Sequence, residues 1–170
     1  MTELYGGTIS ITQLPSTFID VSKIRQVPDN QEVFINQNPT ENANLDKSLI
    51  FDILEKLDND YSEAIVEHLS DIYPNSESSK LIEKLESDDG SERFISFLKF
   101  KPEYTKIEPN QPLEIVSLIG LVRLDKVDTD ILVQYNVPHD RDVETYNEED
   151  YRLFKEIIES FNIVDWNLFG

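Results

Sequence analysis

The 170-residue chain carries 34 acidic against 15 basic side chains, a net charge of −19, with 39% hydrophobic residues and no cysteine. That charge repels nucleic-acid phosphate and anionic lipid, so a charged partner is expected to be basic. Disulfides, thiolate nucleophiles and thiolate metal sites are excluded, and no apolar run approaches the roughly 20 residues of a membrane helix. The length fits one domain over residues 1–170, and MTELYGG shows neither a secretory nor a transit pattern, leaving cytoplasm or nucleus.

In chain order, the alternating β-branched run TISITQ (8–13) reads as a strand ended by Pro15. FIDVSKI (18–24) reads as a short extension and a turn that Asp20 or Ser22 can cap. Pro28 sets a turn over Asp29 and Asn30, after which residues 32–35 resume as a strand. Residues 36–43 are polar and read as a mobile loop. In DKSLIFDILEKL (46–57), Leu49, Ile50, Ile53, Leu54 and Leu57 gather on one stripe at helical spacing. An amphipathic helix is expected there, with Asp52, Glu55 and the ring of Phe51 on its outer side. Those three suggest a protein-binding surface, or else a plain solvated face with Phe51 tucked under a loop.

A second helical pattern covers 61–71 and stops before Pro74. KLIEKLE (80–86) fits either a helical turn or an edge strand, and strand is the chosen reading. After a turn at Asp88, Asp89 and Gly90, residues 94–101 form a strand. EIVSLIGLVRL (114–124) is apolar enough for a central strand with Gly120 as a bulge, and it makes a hairpin with residues 131–137, stopped by Pro138. The helix over 147–161 has Asn147 and Asp150 placed for a capping box and a buried stripe of Tyr151, Phe154, Ile157, Ile158 and Phe161. The apolar tail should dock through Trp166 and Phe169. These elements describe an α+β domain, a largely antiparallel sheet covered by helices.

Catalytic and cofactor motifs are missing. There is no GxxxxGK[ST] and no GxGxxG after a strand; His68 and His139 fit no zinc spacing; no GxSxG elbow is present. Asp58, Asp60, Ser62 and Glu63 resemble the start of a calcium loop, but Glu63 stands where the loop needs glycine and Leu69 where it needs glutamate. No cofactor and no catalytic residue is expected.

LYGGTIS, FIDVSKIRQVPDNQEVF, SLIFDILE, DTDILVQYNVP and the closing VDWNLFG, taken in order, resemble the Mog family, the Ran guanine nucleotide release factors. The resemblance covers most of the chain but is poor over 61–89. It implies a PsbP-like fold, an antiparallel sheet of about six strands with helices on both faces. It also implies binding of the small GTPase Ran, promotion of the release of its guanine nucleotide and support of nuclear import; a monomer in nucleus and cytoplasm is expected. The family's acidic contacts to Ran fall on Asp52 and Glu55, with Phe51 as an apolar addition and the turn residues Asp29, Asn30 and Glu32 beside them. The other reading is an acidic adaptor that binds Ran or another basic partner without releasing nucleotide.

Overall fold

The computed structural model describes residues 1–39 and 42–170. Strands β1 (Thr2–Leu4) and β2 (Ile9–Ile11) are joined by a turn in which Tyr5, Gly6 and Gly7 have φ of 50°, 67° and 89°. Two glycines make this left-handed run accessible. Tyr5 tolerates it because it is tied down: its N–H donates to Glu32 Oε1 at 2.6 Å, and its hydroxyl lies 2.9 Å from the Asn30 carbonyl oxygen. Strand β3 (Phe18–Asp20) runs into a 3-10 turn capped by Asp20, which accepts from the Ser22 N–H at 2.9 Å. After the Pro28 turn, β4 spans Gln31–Asn36. The polar loop expected over 36–43 includes Thr40 and Glu41, which lie outside the described residues.

Residues 46–57 are not a helix. They form strand β5 (Lys47–Glu55), paired along its length with β4 on one side and with β9 (Thr129–His139) on the other. Leu49, Phe51 and Ile53 therefore share one face, and Ile50, Asp52 and Leu54 the other. A strand that carries apolar residues on both faces also shows them three and four apart, so its pattern satisfies the helical template. Hydrogen bonding to two strands far away in the sequence decides the outcome.

Helix α1 (Tyr61–Ser70) follows, with Asp60 at its N-cap accepting from the Glu63 N–H at 3.1 Å. Strands β6 (Lys80–Glu86), β7 (Glu92–Phe100), β8 (Glu114–Leu124) and β9 complete a seven-stranded antiparallel sheet, in keeping with the expected sheet of about six, in the order β3-β4-β5-β9-β8-β7-β6. Pro138 does not end β9, since it sits in the ladder opposite Ile115 near the strand end. Helix α2 spans Glu148–Ser160, and β10 (Asn162–Ile163) joins β1 and β2 in a separate three-stranded sheet. Asn147 caps α2, accepting from the Glu149 and Asp150 N–H groups. Asp150 does not reach back as a capping box would, and instead its carboxylate meets Lys47 Nζ at 2.6 Å.

The helices lie on opposite faces of the large sheet. On one, Phe154, Ile157 and Ile158 of α2 join the small sheet over Leu49, Phe51, Leu118, Val122 and Val133. On the other, Ile65 and Leu69 of α1, with Tyr73, cover Leu98, Ile119, Leu121 and Leu132. The tail packs partly on the first core through Trp166 and Phe169, with Lys126 Nζ 4.5 Å from the Trp166 ring centre. Among the described residues no helix is long and apolar enough to cross a membrane.

Gly120 is not a bulge, because the registers of β8 with β7 and β9 run through it unbroken. Its role is close approach: a Cβ there would stand 2.4 Å from Ile158 Cδ1, 3.1 Å from Ile158 Cγ1 and 3.3 Å from Phe154 Cζ. Gly120→Ala is expected to lower stability by about 1–3 kcal/mol, the usual cost of overpacking a filled core. Urea denaturation of the two proteins measures it.

Candidate partner-binding surface

The alternation of β5 separates the residues expected to act together. Phe51 is fully buried in the α2-side core, where its ring packs edge-on against Phe34 at 6.4 Å. It offers no surface to a partner, contrary to its expected place beside Asp52. Asp52 points to the α1 side. Glu55, three residues on, has the alternation of Phe51, but as the last residue of the strand it is exposed. Residues i and i+3 share a side of a helix but fall on opposite sides of a strand. Asp52 and Glu55 therefore do not form one acidic face.

The turn before β4 adjoins the end of β5: the Ile53 N–H donates to the Asn30 carbonyl oxygen at 2.9 Å, leaving the side chains of Asp29 and Asn30 exposed. Glu32 sits across the strand pair from Phe51, half-buried, with its carboxylate engaged by the Tyr5 N–H. Burial pushes its pKa up while that hydrogen bond works the other way. Its place in the structure is an anchor for the N-terminal turn.

Asp52 is the unusual group. Only 6% of the residue is exposed, yet no ion pair reaches its carboxylate among the described residues. Its contacts are amides: Gln134 Nε2 donates to Oδ2 at 3.4 Å, and Gln31, its cross-strand neighbour, supplies a second hydrogen bond. Burial raises its pKa, only partly offset by Gln31. Gln134 is aimed by Tyr73, whose hydroxyl lies 2.8 Å from Gln134 Oε1 and 2.7 Å from Asn136 Oδ1. With its oxygen engaged, the Gln134 amide turns its nitrogen to Asp52.

A second carboxylate on the same side of the sheet is treated differently. Asp130, fully buried, lies 3.1 Å from Arg123 Nε and 2.8 Å from His68 Nε2. Burial would raise its pKa, but hydrogen bonds from His68, Arg123 and the Leu57 N–H, with the Arg123 charge, hold it below the usual carboxylate range. Arg123 also donates to the carbonyl oxygens of Leu57 and Asn59, fixing the segment from β5 to α1. Around that segment Asp29, Glu55, Asp58, Asp125 and Asp128 form an exposed acidic rim, tempered by Lys56, which pairs with Asp125 at 3.4 Å. Among the described residues no group of three or more metal-binding side chains comes together.

Sequence reading missed Tyr73, Gln134, Arg123 and Asp130. The available signal was polarity inside apolar strands, because Gln134, Arg123 and Asp130 interrupt otherwise buried runs and a buried polar group requires partners.

Residues 2–138 match the family model for the Ran-interacting Mog1 protein, a span that includes β1 to β8, nearly all of β9 and every residue of the surface just described. This chain belongs to the Mog1 family. It is 32% identical to the nuclear import protein MOG1 of Saccharomyces cerevisiae, the aligned part covering 99% of this chain and 84% of that one. It is 30% identical to the Ran guanine nucleotide release factor of Bos taurus, covering 98% and 95%. The crystal structure of the S. cerevisiae Ran-binding protein Mog1p superimposes with a TM-score of 0.72 at 27% identity, covering 99% of this chain and 97% of that one. The Mog1 fold thus extends through α2 and the tail.

Two expectations follow from the contrast between the carboxylates. A raised folded pKa means that ionised Asp52 opposes folding at neutral pH, a penalty relieved as pH falls through its folded value. Asp52→Asn should therefore raise the melting temperature at pH 7, with the gain shrinking in acid. Asp130 has the opposite sign: its depressed pKa contributes stability above the unfolded value, near 3.9, that is lost as pH falls through the folded one. Asp130→Asn should cost about 3–5 kcal/mol at pH 7, as does removing one partner of a buried pair. Urea denaturation from pH 7 to pH 3 should show that gap closing.

Proposed function

We propose that this Mog1-family chain binds the small GTPase Ran and promotes release of its guanine nucleotide, supporting nuclear protein import from the nucleus and cytoplasm. One observation carries the reading beyond family membership: Asp52, a nearly buried carboxylate with only amides for company, in a family described as Ran-interacting. A buried charge without a counter-charge is unfavourable for the isolated fold, and an incoming cation would relieve it. Asp52 is the proposed anchor for a basic side chain of Ran. Glu55, Asp29 and Asn30 supply the adjoining rim, with Glu32 beneath them holding the turn, and the −19 net charge speeds encounter with a basic surface.

Release requires no acid, base or metal from this chain. If it binds nucleotide-free Ran more tightly than loaded Ran, reciprocity demands that it weaken nucleotide binding by the same factor. A close charge pair desolvated in an interface couples by about 1.5–7 kcal/mol, whereas an exposed one contributes about 0–1. Asp52 belongs to the first class and Glu55 to the second.

The test is dissociation of labelled GDP from Ran on addition of the chain. Wild type should accelerate it, Asp52→Ala should reduce the effect at least about tenfold, and Glu55→Ala should reduce it several-fold or less. Binding of Ran without faster dissociation would favour the second reading, an acidic adaptor.

A further inference from the structure

The network behind Asp52 is one hydrogen short. The Tyr73 hydroxyl stands 2.8 Å from Gln134 Oε1 and 2.7 Å from Asn136 Oδ1, two amide oxygens, and has a single hydrogen to give them. Ser117 Oγ also donates to Asn136 Oδ1, and Asn136 Nδ2 donates to Ser48 Oγ at 3.2 Å, so the Asn136 amide is held in one orientation. Gln134 is held less firmly. Its nitrogen meets Asp52 Oδ2 at 3.4 Å, at the long end for a hydrogen bond, and its oxygen meets Tyr73. A half-turn of that amide exchanges two groups of nearly equal size and costs no packing.

Two hydrogen-bond patterns fit the same atoms. With Asp52 ionised, Gln134 Nε2 donates to the carboxylate, Tyr73 donates to Gln134 Oε1, and Asn136 Oδ1 keeps the Ser117 hydroxyl. With Asp52 protonated and the Gln134 amide turned, the Asp52 O–H donates to Gln134 Oε1, Gln134 Nε2 donates to the Tyr73 oxygen, and the Tyr73 hydrogen passes to Asn136 Oδ1. Tyr73 thus makes one hydrogen bond in the first pattern and two in the second. Other titratable groups do not intervene. Tyr73, from the segment after α1, and Tyr5, whose hydroxyl reaches the Phe51 carbonyl oxygen, are both raised by burial, Tyr73 to about 12. On β9, Asp130 is satisfied by Arg123 of β8 and His68 of α1, and β4 presents the neutral Gln31. We propose that Gln134 and Tyr73 form a two-position relay that turns with the proton on Asp52, so that the free chain holds this aspartate in either form and a cation arriving at it expels the proton to solvent. Gln134 and Tyr73 are positioning residues, acting through Asp52. The relay involves this chain alone; its coupling to a partner rests on the Ran reading.

The test uses the full chain labelled with carbon-13 and nitrogen-15, following the Asp52 carboxyl carbon and the Gln134 side-chain amide between pH 7 and about pH 4. Both should titrate with one midpoint, above the value near 3.9 of an ordinary aspartate. Tyr73→Phe removes one hydrogen bond from the ionised pattern and two from the protonated one. The midpoint should therefore fall by roughly half to one pH unit, the worth of one net hydrogen bond. Ser117→Ala should raise it by a similar amount, because only the protonated pattern then supplies Asn136 Oδ1 with a donor. A merely structural role for these side chains gives no such opposed pair. If the Gln134 amide ignores the Asp52 titration, or the two variants do not move the midpoint in opposite directions, the relay is wrong. With nucleotide-free Ran at about pH 6, calorimetry in two buffers of different ionisation enthalpy should detect proton release on binding that Asp52→Asn abolishes. Binding of wild type without proton release would overturn the coupling and leave the relay standing. No binding to Ran at all would sink the Ran reading and the coupling with it.

Discussion

Side chains on β5 alternate between two environments, and the rest of the molecule depends on which set goes where. Leu49 and Phe51 enter the α2-side core, while Ile50 and Asp52 face the other way. A slip of one residue would drive Asp52 into the packing of Phe154 and Ile158 and expose a phenylalanine. Burying side chains such as Phe51 and Leu49 contributes about 1.5–3 kcal/mol each, and the ladders to β4 and β9 hold the strand from both sides. The register is therefore fixed by burial, and the position of the carboxylate comes with it.

Two aspartates on one side of one sheet show what a protein does with a buried charge. Asp130 is surrounded by Arg123, His68 and a backbone N–H, and its cluster ties the sheet to α1 and to the connection after β5. Asp52 is held by Gln134 and Gln31, groups that orient it without neutralising it. The first arrangement supports the fold. The second opposes it mildly and suits a counter-charge from outside, on the proposed reading from Ran. A hydrogen-bonded series from Tyr73 through Gln134 to Asp52 links the segment after α1 to strand β5.

Much of the fold is legible in the sequence. Strands bounded by turn residues, the capped α2 and the β8–β9 hairpin follow from local patterns, and the resemblance to the Mog family led to Asp52 and Glu55. Residues 46–57 were misread because Leu49, Ile50, Ile53 and Leu54 satisfy a helical spacing that a doubly covered strand also produces. The error moved Phe51 to the surface and placed Asp52 and Glu55 on one side. Nothing inside that stretch could correct it, because the partners that make β5 a strand lie at 31–36 and 129–136. Gly120 was singled out correctly but for the wrong reason: the constraint is the side chain of Ile158, 38 positions away.

On the proposed reading, binding energy realised around Asp52 displaces nucleotide from Ran. The most direct measurement is the affinity of the wild-type chain for nucleotide-free Ran and for Ran loaded with GDP, by calorimetry under one set of conditions. Tighter binding to the nucleotide-free form is predicted, by the same factor by which the chain weakens the affinity of Ran for GDP. Equal affinity for the two forms would contradict it.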